Sequence, residues 1–150
     1  MPVCPDPVAL LTHHFGAEPA ARTIAVPGRV NLIGEHVDYH NLPVLPMALE
    51  RRVRIAYRGR PDCRIRAASA GFGEREFEWA RVLEPSDSGD WINYLKAAAQ
   101  AVAARWKVSH GIDAAIVSDL PPAAGLSSST ALLTGFTLAL LEANGVRASF

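Results

Sequence analysis

An α+β fold, one mainly antiparallel sheet layered with helices, is predicted by three features of this chain. Short alternating or apolar segments separated by turn residues fill positions 22–79, the pattern of successive antiparallel strands. After the polar linker Glu84-Pro85-Ser86-Asp87-Ser88-Gly89-Asp90 the period becomes helical, with Ile92, Leu95, Ala99, Val102 and Trp106 on one face. A further strand, Ile112 to Ser118, then leads through a proline- and serine-rich turn into a long apolar run. Strands, then helix, strand and helix make a sheet with helices layered on it.

The elements follow in order. Val8 to Phe15 reads as a short helix after a proline-rich start, and Arg22 to Pro27 as the first strand. Asn31 to Glu35 and Val44 to Leu49 read as strands flanking a polar loop. Val53 to Tyr57, Cys63 to Ala68 and Arg75 to Trp79 read as three more, separated by the turns Arg60-Pro61-Asp62 and Gly71-Phe72-Gly73. Arg52, Arg54, Arg58 and Arg60 share one strand face, which reads as the solvated side of the sheet. The helix from Trp91 ends near Lys107. The last helix, Ser127 to about Asn144, is apolar nearly all round (Leu132, Leu133, Phe136, Leu138, Leu140, Leu141), so it should be buried on several sides and leave an apolar patch for a further domain.

Composition narrows the class. With 15 basic and 15 acidic residues the chain is neutral, and 49% hydrophobic against 20% charged residues describes a globular segment, with nothing that favours nucleic acid or membrane as a partner. No run reaches the ~18 apolar residues of a membrane helix, and the start, Met1-Pro2-Val3-Cys4-Pro5-Asp6-Pro7, lacks the basic and apolar regions of a secretion signal. Cys4 and Cys63 are too few for a disulfide framework or a metal knuckle, so the expected location is the cytoplasm.

Two segments carry chemistry. Residues 28–39 read Gly28-Arg29-Val30-Asn31-Leu32-Ile33-Gly34-Glu35-His36-Val37-Asp38-Tyr39. Three groups able to grip hydroxyls, Glu35, His36 and Asp38, stand close behind Arg29, a cation suited to phosphate, which suggests a site joining a polyol to a phosphate. The second segment is Leu120-Pro121-Pro122-Ala123-Ala124-Gly125-Leu126-Ser127-Ser128-Ser129-Thr130. A loop opening into a buried helix presents backbone N–H groups without intrahelical partners at a positive dipole end, so it can hold phosphate without a lysine. Serine hydroxyls add hydrogen bonds or a magnesium ligand. The glycine and lysine spacing of a Walker loop is absent, and the chain has only Lys96 and Lys107. Taken alone, the serines also fit an ordinary helix N-cap.

Together the two segments resemble the first two motifs of the GHMP kinase superfamily, and the first resembles the galactokinase signature, unbroken from Gly28 to Tyr39. Val44-Leu45-Pro46-Met47-Ala48, Trp91-Ile92-Asn93-Tyr94-Leu95-Lys96 and Gly125-Leu126-Ser127-Ser128-Ser129 extend the resemblance over roughly residues 22–142. It implies the GHMP kinase N-terminal domain, similar to the second domain of ribosomal protein S5. It also implies phosphorylation of a monosaccharide, galactose first among candidates, at its anomeric hydroxyl, with ATP and magnesium (Mg2+) as cofactors. By the same resemblance Arg29 is the catalytic cation, Glu35, His36 and Asp38 are sugar ligands, and Pro122, Gly125, Leu126, Ser127, Ser128 and Ser129 hold ATP, with Ser129 touching the metal. Trp91 and Tyr94 resemble an adenine-side aromatic pair, although aromatics at a helix start are more often core.

The chain departs from the family pattern in two local places and, most of all, in length. One glycine, Gly125, stands where the phosphate loop of galactokinases has several, and each added methyl narrows the approach of a phosphate to the backbone. His40-Asn41-Leu42-Pro43 replaces an asparagine and glycines, and Pro43 stiffens the sugar loop. The family's aspartate base, acidic metal partner and third motif are expected beyond residue 150. Residues 1–150 are therefore expected to be a truncated N-terminal domain without its C-terminal partner, unable to catalyse alone. Relatives that bind sugar and ATP as sensors share these motifs.

Two other classes fit less well. His36, Asp38 and His40 alternate as metal ligands on a strand would, but His13, His14 and His110 add no partner spacing. Arg51, Arg52, Arg54, Arg58, Arg60, Arg64 and Arg66 suggest a nucleic-acid surface, against which the neutral net charge weighs.

Overall fold

The computed structural model describes residues 4–34, 40–121 and 124–147. Helix α1, Pro7–Phe15, starts where Asp6 accepts hydrogen bonds from the amides of Val8 (3.1 Å) and Ala9 (3.3 Å), with proline at the first helical position, where its missing N–H costs nothing. The next two strands are longer than their sequence suggests. Strand β1 runs unbroken over Arg22–Ile33 and β2 over Leu45–Gly59, paired antiparallel from Arg22↔Tyr57 to Ile33↔Leu45. Four expected strands are thus two. Irregularities between Pro27 and Arg29 and between Asn31 and Ile33 absorb the polar and glycine positions that read as breaks, and pairing resumes beyond them.

Strands β3, Arg64–Ser69, and β4, Gly73–Glu78, form a hairpin closed by the expected glycine turn, in which the Phe72 amide donates to the Ser69 carbonyl at 3.0 Å. Helix α2, Ile92–Arg105, begins where Asp90 accepts from the Ile92 amide at 3.1 Å, and it buries Ile92, Leu95, Ala98, Ala99 and Val102. Strand β5 is Ile112–Ser118, as expected, and helix α3 is Ser128–Ala143.

The sheet order is β1-β2-β5-β3-β4, antiparallel except for the parallel β3–β5 pair. Its central strand β5 is buried from Ile112 to Val117 because both of its faces are covered. On one face α2 and α3 pack against Val53, Ile55, Tyr57, Ile65, Ala67, Ile112, Ala114 and Ile116. Gly135 brings α3 close to the sheet: a Cβ there would lie 3.0 Å from Ile55 Cδ1 and 3.2 Å from Val26 Cγ2. On the other face α1 seats Leu11 against Ala56 and Ala115.

That second face corrects two expectations. Arg52, Arg54, Arg58 and Arg60 do share it, but it is not a solvated side throughout: Arg58 is only 5% exposed and Asp113, its register partner on β5, 4%. The Arg58 guanidinium donates to the carbonyls of Gly16 and Glu18 (2.9 Å each) and of Phe15, so an arginine from the sheet satisfies the carbonyls where α1 ends. The apolar patch also lies elsewhere than expected. Helix α3 is buried or half-buried along its apolar positions, while the exposed large apolar side chains among the described residues include Leu32, Ile33, Leu42, Leu45 and Met47, around the loop end of β1 and β2. Covering by α2 and the sheet accounts for α3, a contact that helical periodicity does not reveal.

Candidate functional site

The long β1–β2 ribbon carries the polar loop at its end. Gly34, at φ +93°, sits so close to the far stem that a Cβ would lie 2.9 Å from the Pro43 carbonyl oxygen and 3.1 Å from Val44 Cα. The two stems of the loop therefore close on each other, and only a residue without a side chain fits at the first stem. Glu35, His36 and Asp38, the expected sugar ligands, lie outside the described residues, as does Pro122.

Arg29 is half-buried on β1, opposite Ala48. Its backbone amide donates to the carbonyl of Leu126 at 3.1 Å, so the arginine of the first segment and the turn of the second are in direct contact. The 96 residues between them in the sequence gave no hint of this. The preceding residue explains it: a Cβ at Gly28 would lie 2.9 Å from the Leu126 carbonyl oxygen and 3.3 Å from Leu120 Cδ1.

The turn itself is backbone in an unusual state. Gly125 has φ +69°, which glycine adopts freely, and nothing stands within 4 Å of where its Cβ would be. Ser127 also has a left-handed backbone, φ 58° and ψ 33°, which costs a non-glycine residue roughly 1 kcal/mol or more and favours a functional reason for its retention. Ser127 occupies the N-cap position of α3 but its side chain makes no cap hydrogen bond. An ordinary serine cap is therefore not what this residue provides. Ser127, Ser128 and Ser129 are half-buried at the helix start, and Leu126 packs on the main core beneath them.

The approach to the turn is anchored by Asp119, which sequence reasoning did not single out. Its Oδ1 accepts from the Arg52 amide at 2.5 Å, its Oδ2 from Arg54 Nη2 at 3.2 Å, and its carbonyl from Arg51 Nη1 at 2.8 Å. Partial burial pushes the Asp119 carboxyl up, but the Arg52 amide and the Arg54 charge outweigh it and hold the group below the usual carboxylate range. An acid two residues before a proline pair, opposite an arginine run, was the signal available.

Of the aromatic pair, Trp91 packs on the main core, as the core alternative has it, with its buried Nε1–H lacking a partner among the described residues. Tyr94 is 44% exposed and is not core. Among the described residues no group of three or more His, Cys, Asp or Glu side chains could hold a metal ion. His36 and Asp38 lie outside that set. No helix among the described residues is long and apolar enough to cross a membrane.

Residues 9–59 match the galactokinase galactose-binding signature, and residues 93–149 match the GHMP kinases N terminal domain. The chain is 40% identical over 137 residues to a galactokinase of Chloroflexus aggregans and, equally, to one of Chloroflexus aurantiacus. The chain matches part of the galactokinases, members of the GHMP kinase superfamily. Each alignment covers 89% of the chain and 35% of the relative, so the chain spans about a third of the length of the curated galactokinases it matches. The fold agrees: the crystal structure of Lactococcus lactis galactokinase complexed with galactose superposes with a TM-score of 0.87 at 29% identity, covering 95% of this chain and 37% of that one. Methanococcus jannaschii mevalonate kinase superposes at 0.73 with 19% identity, over 88% of this chain and 43% of its own, which shows the fold alone. The sheet and three helices are thus the GHMP kinase N-terminal architecture.

Proposed function

We propose that the full-length protein transfers the γ-phosphoryl group of ATP to the anomeric hydroxyl of a monosaccharide, galactose becoming galactose 1-phosphate. One observation carries the reading: the Arg29–Leu126 hydrogen bond joins the galactose-binding signature to the turn at the start of α3. A phosphoryl group held at that turn would stand beside the Arg29 strand.

Phosphoryl transfer is mostly positioning and charge stabilisation, and the proposed roles follow from that. The sugar oxygen forms a bond to the γ-phosphorus while the bond to the ADP oxygen breaks, and the hydroxyl proton passes to a base. Arg29 offsets the charge that develops on the phosphoryl oxygens, its planar fork suiting it to that task. Glu35, His36 and Asp38 hold the sugar hydroxyls and reject a sugar whose hydroxyl is inverted. Pro122 and Gly125 to Ser129 hold the phosphates through backbone N–H groups and hydroxyls. The hydroxyl oxygens at the helix start are donors of the kind Mg2+ takes, and Ser129 would hold the ion, which when bound would neutralise phosphate charge. A C-terminal GHMP domain, in the length by which the relatives exceed this chain, would supply the base and the acidic metal partner. A neutral chain with two free cysteines supports the cytoplasm as its location.

The test is sugar-dependent ADP release by the purified full-length protein, with product identified by phosphorus NMR. Turnover of galactose with magnesium and ATP at ~1–100 per second is expected. Binding of galactose and ATP without turnover would replace the kinase by the sensor reading, and glucose phosphorylated faster than galactose would overturn the sugar assignment.

A further inference from the structure

The described structure ties the two functional segments together at one place, and the residue that permits the contact is Gly28. It is buried on β1 where the register with β2 shifts. The backbone there lies against Leu120 and against the carbonyl of Leu126, the residue before the left-handed Ser127. A methyl group at position 28 would meet that carbonyl oxygen at 2.9 Å, closer than carbon and oxygen normally approach. Leu120 is a side chain and can turn aside, although it is only 5% exposed. The carbonyl is main chain and also accepts the Arg29 amide at 3.1 Å, so it cannot retreat without weakening that bond.

We propose that Gly28 is a positioning residue for the phosphoryl-transfer site: its missing side chain lets β1 touch the turn before α3 and so sets the separation between the Arg29 guanidinium and the hydroxyls of Ser127 to Ser129. This rests on the kinase reading given above. Gly28 touches no substrate. It acts through the Arg29–Leu126 bond, which holds two segments in one geometry although they fold from distant parts of the chain. The stems of the sugar loop close at a different place, where Gly34 meets Pro43 and Val44. A methyl at position 28 therefore separates transfer from sugar affinity. Because a displacement of ~1 Å can cost on the order of 10²-fold in rate, even part of that shift is measurable.

In the full-length protein, Gly28→Ala is expected to lower kcat by roughly tenfold or more while the galactose Kd, by calorimetry, stays within about twofold. Adding Leu120→Ala removes the side-chain part of the clash and leaves the carbonyl, so kcat should stay low in the pair. A kcat within about twofold of the parent in Gly28→Ala, or its recovery in the pair, would overturn the proposal. If neither variant folds, amide exchange in the parent protein decides. The Arg29 N–H should exchange more slowly with magnesium and a non-hydrolysable ATP analogue than with galactose alone, and an exchange rate indifferent to nucleotide overturns the link. Should the parent bind both ligands without turnover, the kinase reading fails while the exchange result still judges the contact.

Discussion

Arg58 and Asp113, register partners on β2 and β5, form an ion pair through Arg58 Nε and Asp113 Oδ2 at 3.2 Å, both side chains about 95% buried. Asp113 also accepts from Arg60 Nη1 at 3.0 Å and from Arg66 Nε and Nη2 at 2.7 and 2.8 Å. One carboxylate thus serves three guanidiniums on the face that α1 covers. The surplus positive charge is offset by the carbonyls of Phe15, Gly16 and Glu18 that Arg58 holds and by Asp62, which pairs with Arg60.

Asp113→Ala should therefore destabilise the domain by about 3–5 kcal/mol, because it leaves the buried Arg58 charge without its partner. Asp113→Asn should cost less, since the amide oxygen still accepts. Urea denaturation of the full-length protein measures both, and equal losses would show that charge is not the deciding quantity.

Acid should act through the same group. Burial pushes the Asp113 carboxyl up, but hydrogen bonds from Arg66 and Arg60 outweigh it and hold it below its ordinary value of 3.8. Glu142 is lowered likewise, chiefly by the Tyr57 hydroxyl that it accepts. For a depressed carboxylate the stabilisation is complete above the unfolded value and is lost as pH falls through the folded one. The thermal midpoint should accordingly hold down to about pH 5 and decline below about pH 4, less steeply in Asp113→Asn. A decline starting near neutrality would point to another group.

Ser129→Ala in the full-length protein should weaken use of magnesium and ATP more than binding of free sugar, since the hydroxyl is proposed to face metal or phosphate. Separate calorimetric titrations with galactose and with nucleotide distinguish this from collapse of the helix start, which would reduce both alike.

Asp38→Asn should raise the sugar KM or abolish turnover while the KM for ATP changes little. A donor facing a sugar hydroxyl in place of an acceptor leaves buried groups unpaired, at ~1–3 kcal/mol each. Unchanged sugar kinetics would remove Asp38 from the sugar site.

Much of this domain is determined locally. The alternation in Ile112 to Ser118 and Arg64 to Ser69, the Asp6 cap, the glycine turn at 71–73 and the buried face of α2 are consequences of short-range pattern, and each element appears where the residues place it. The two motifs were equally legible, because unusual residues at fixed spacing are a property of the chain itself. Tertiary structure decided what pattern cannot encode. Gly28 and the polar Arg29 and Asn31 read as breaks, yet bulges carry pairing through them and leave β1 continuous. The arginines of β2 read as a wet face, yet α1 folds over Arg58 and makes it a buried cap. Above all, the Arg29–Leu126 contact exists only once β1 and the start of α3 are brought side by side. Periodicity reports which way a side chain points from its own backbone; which distant main-chain group it will meet depends on packing, and that is set by the whole fold.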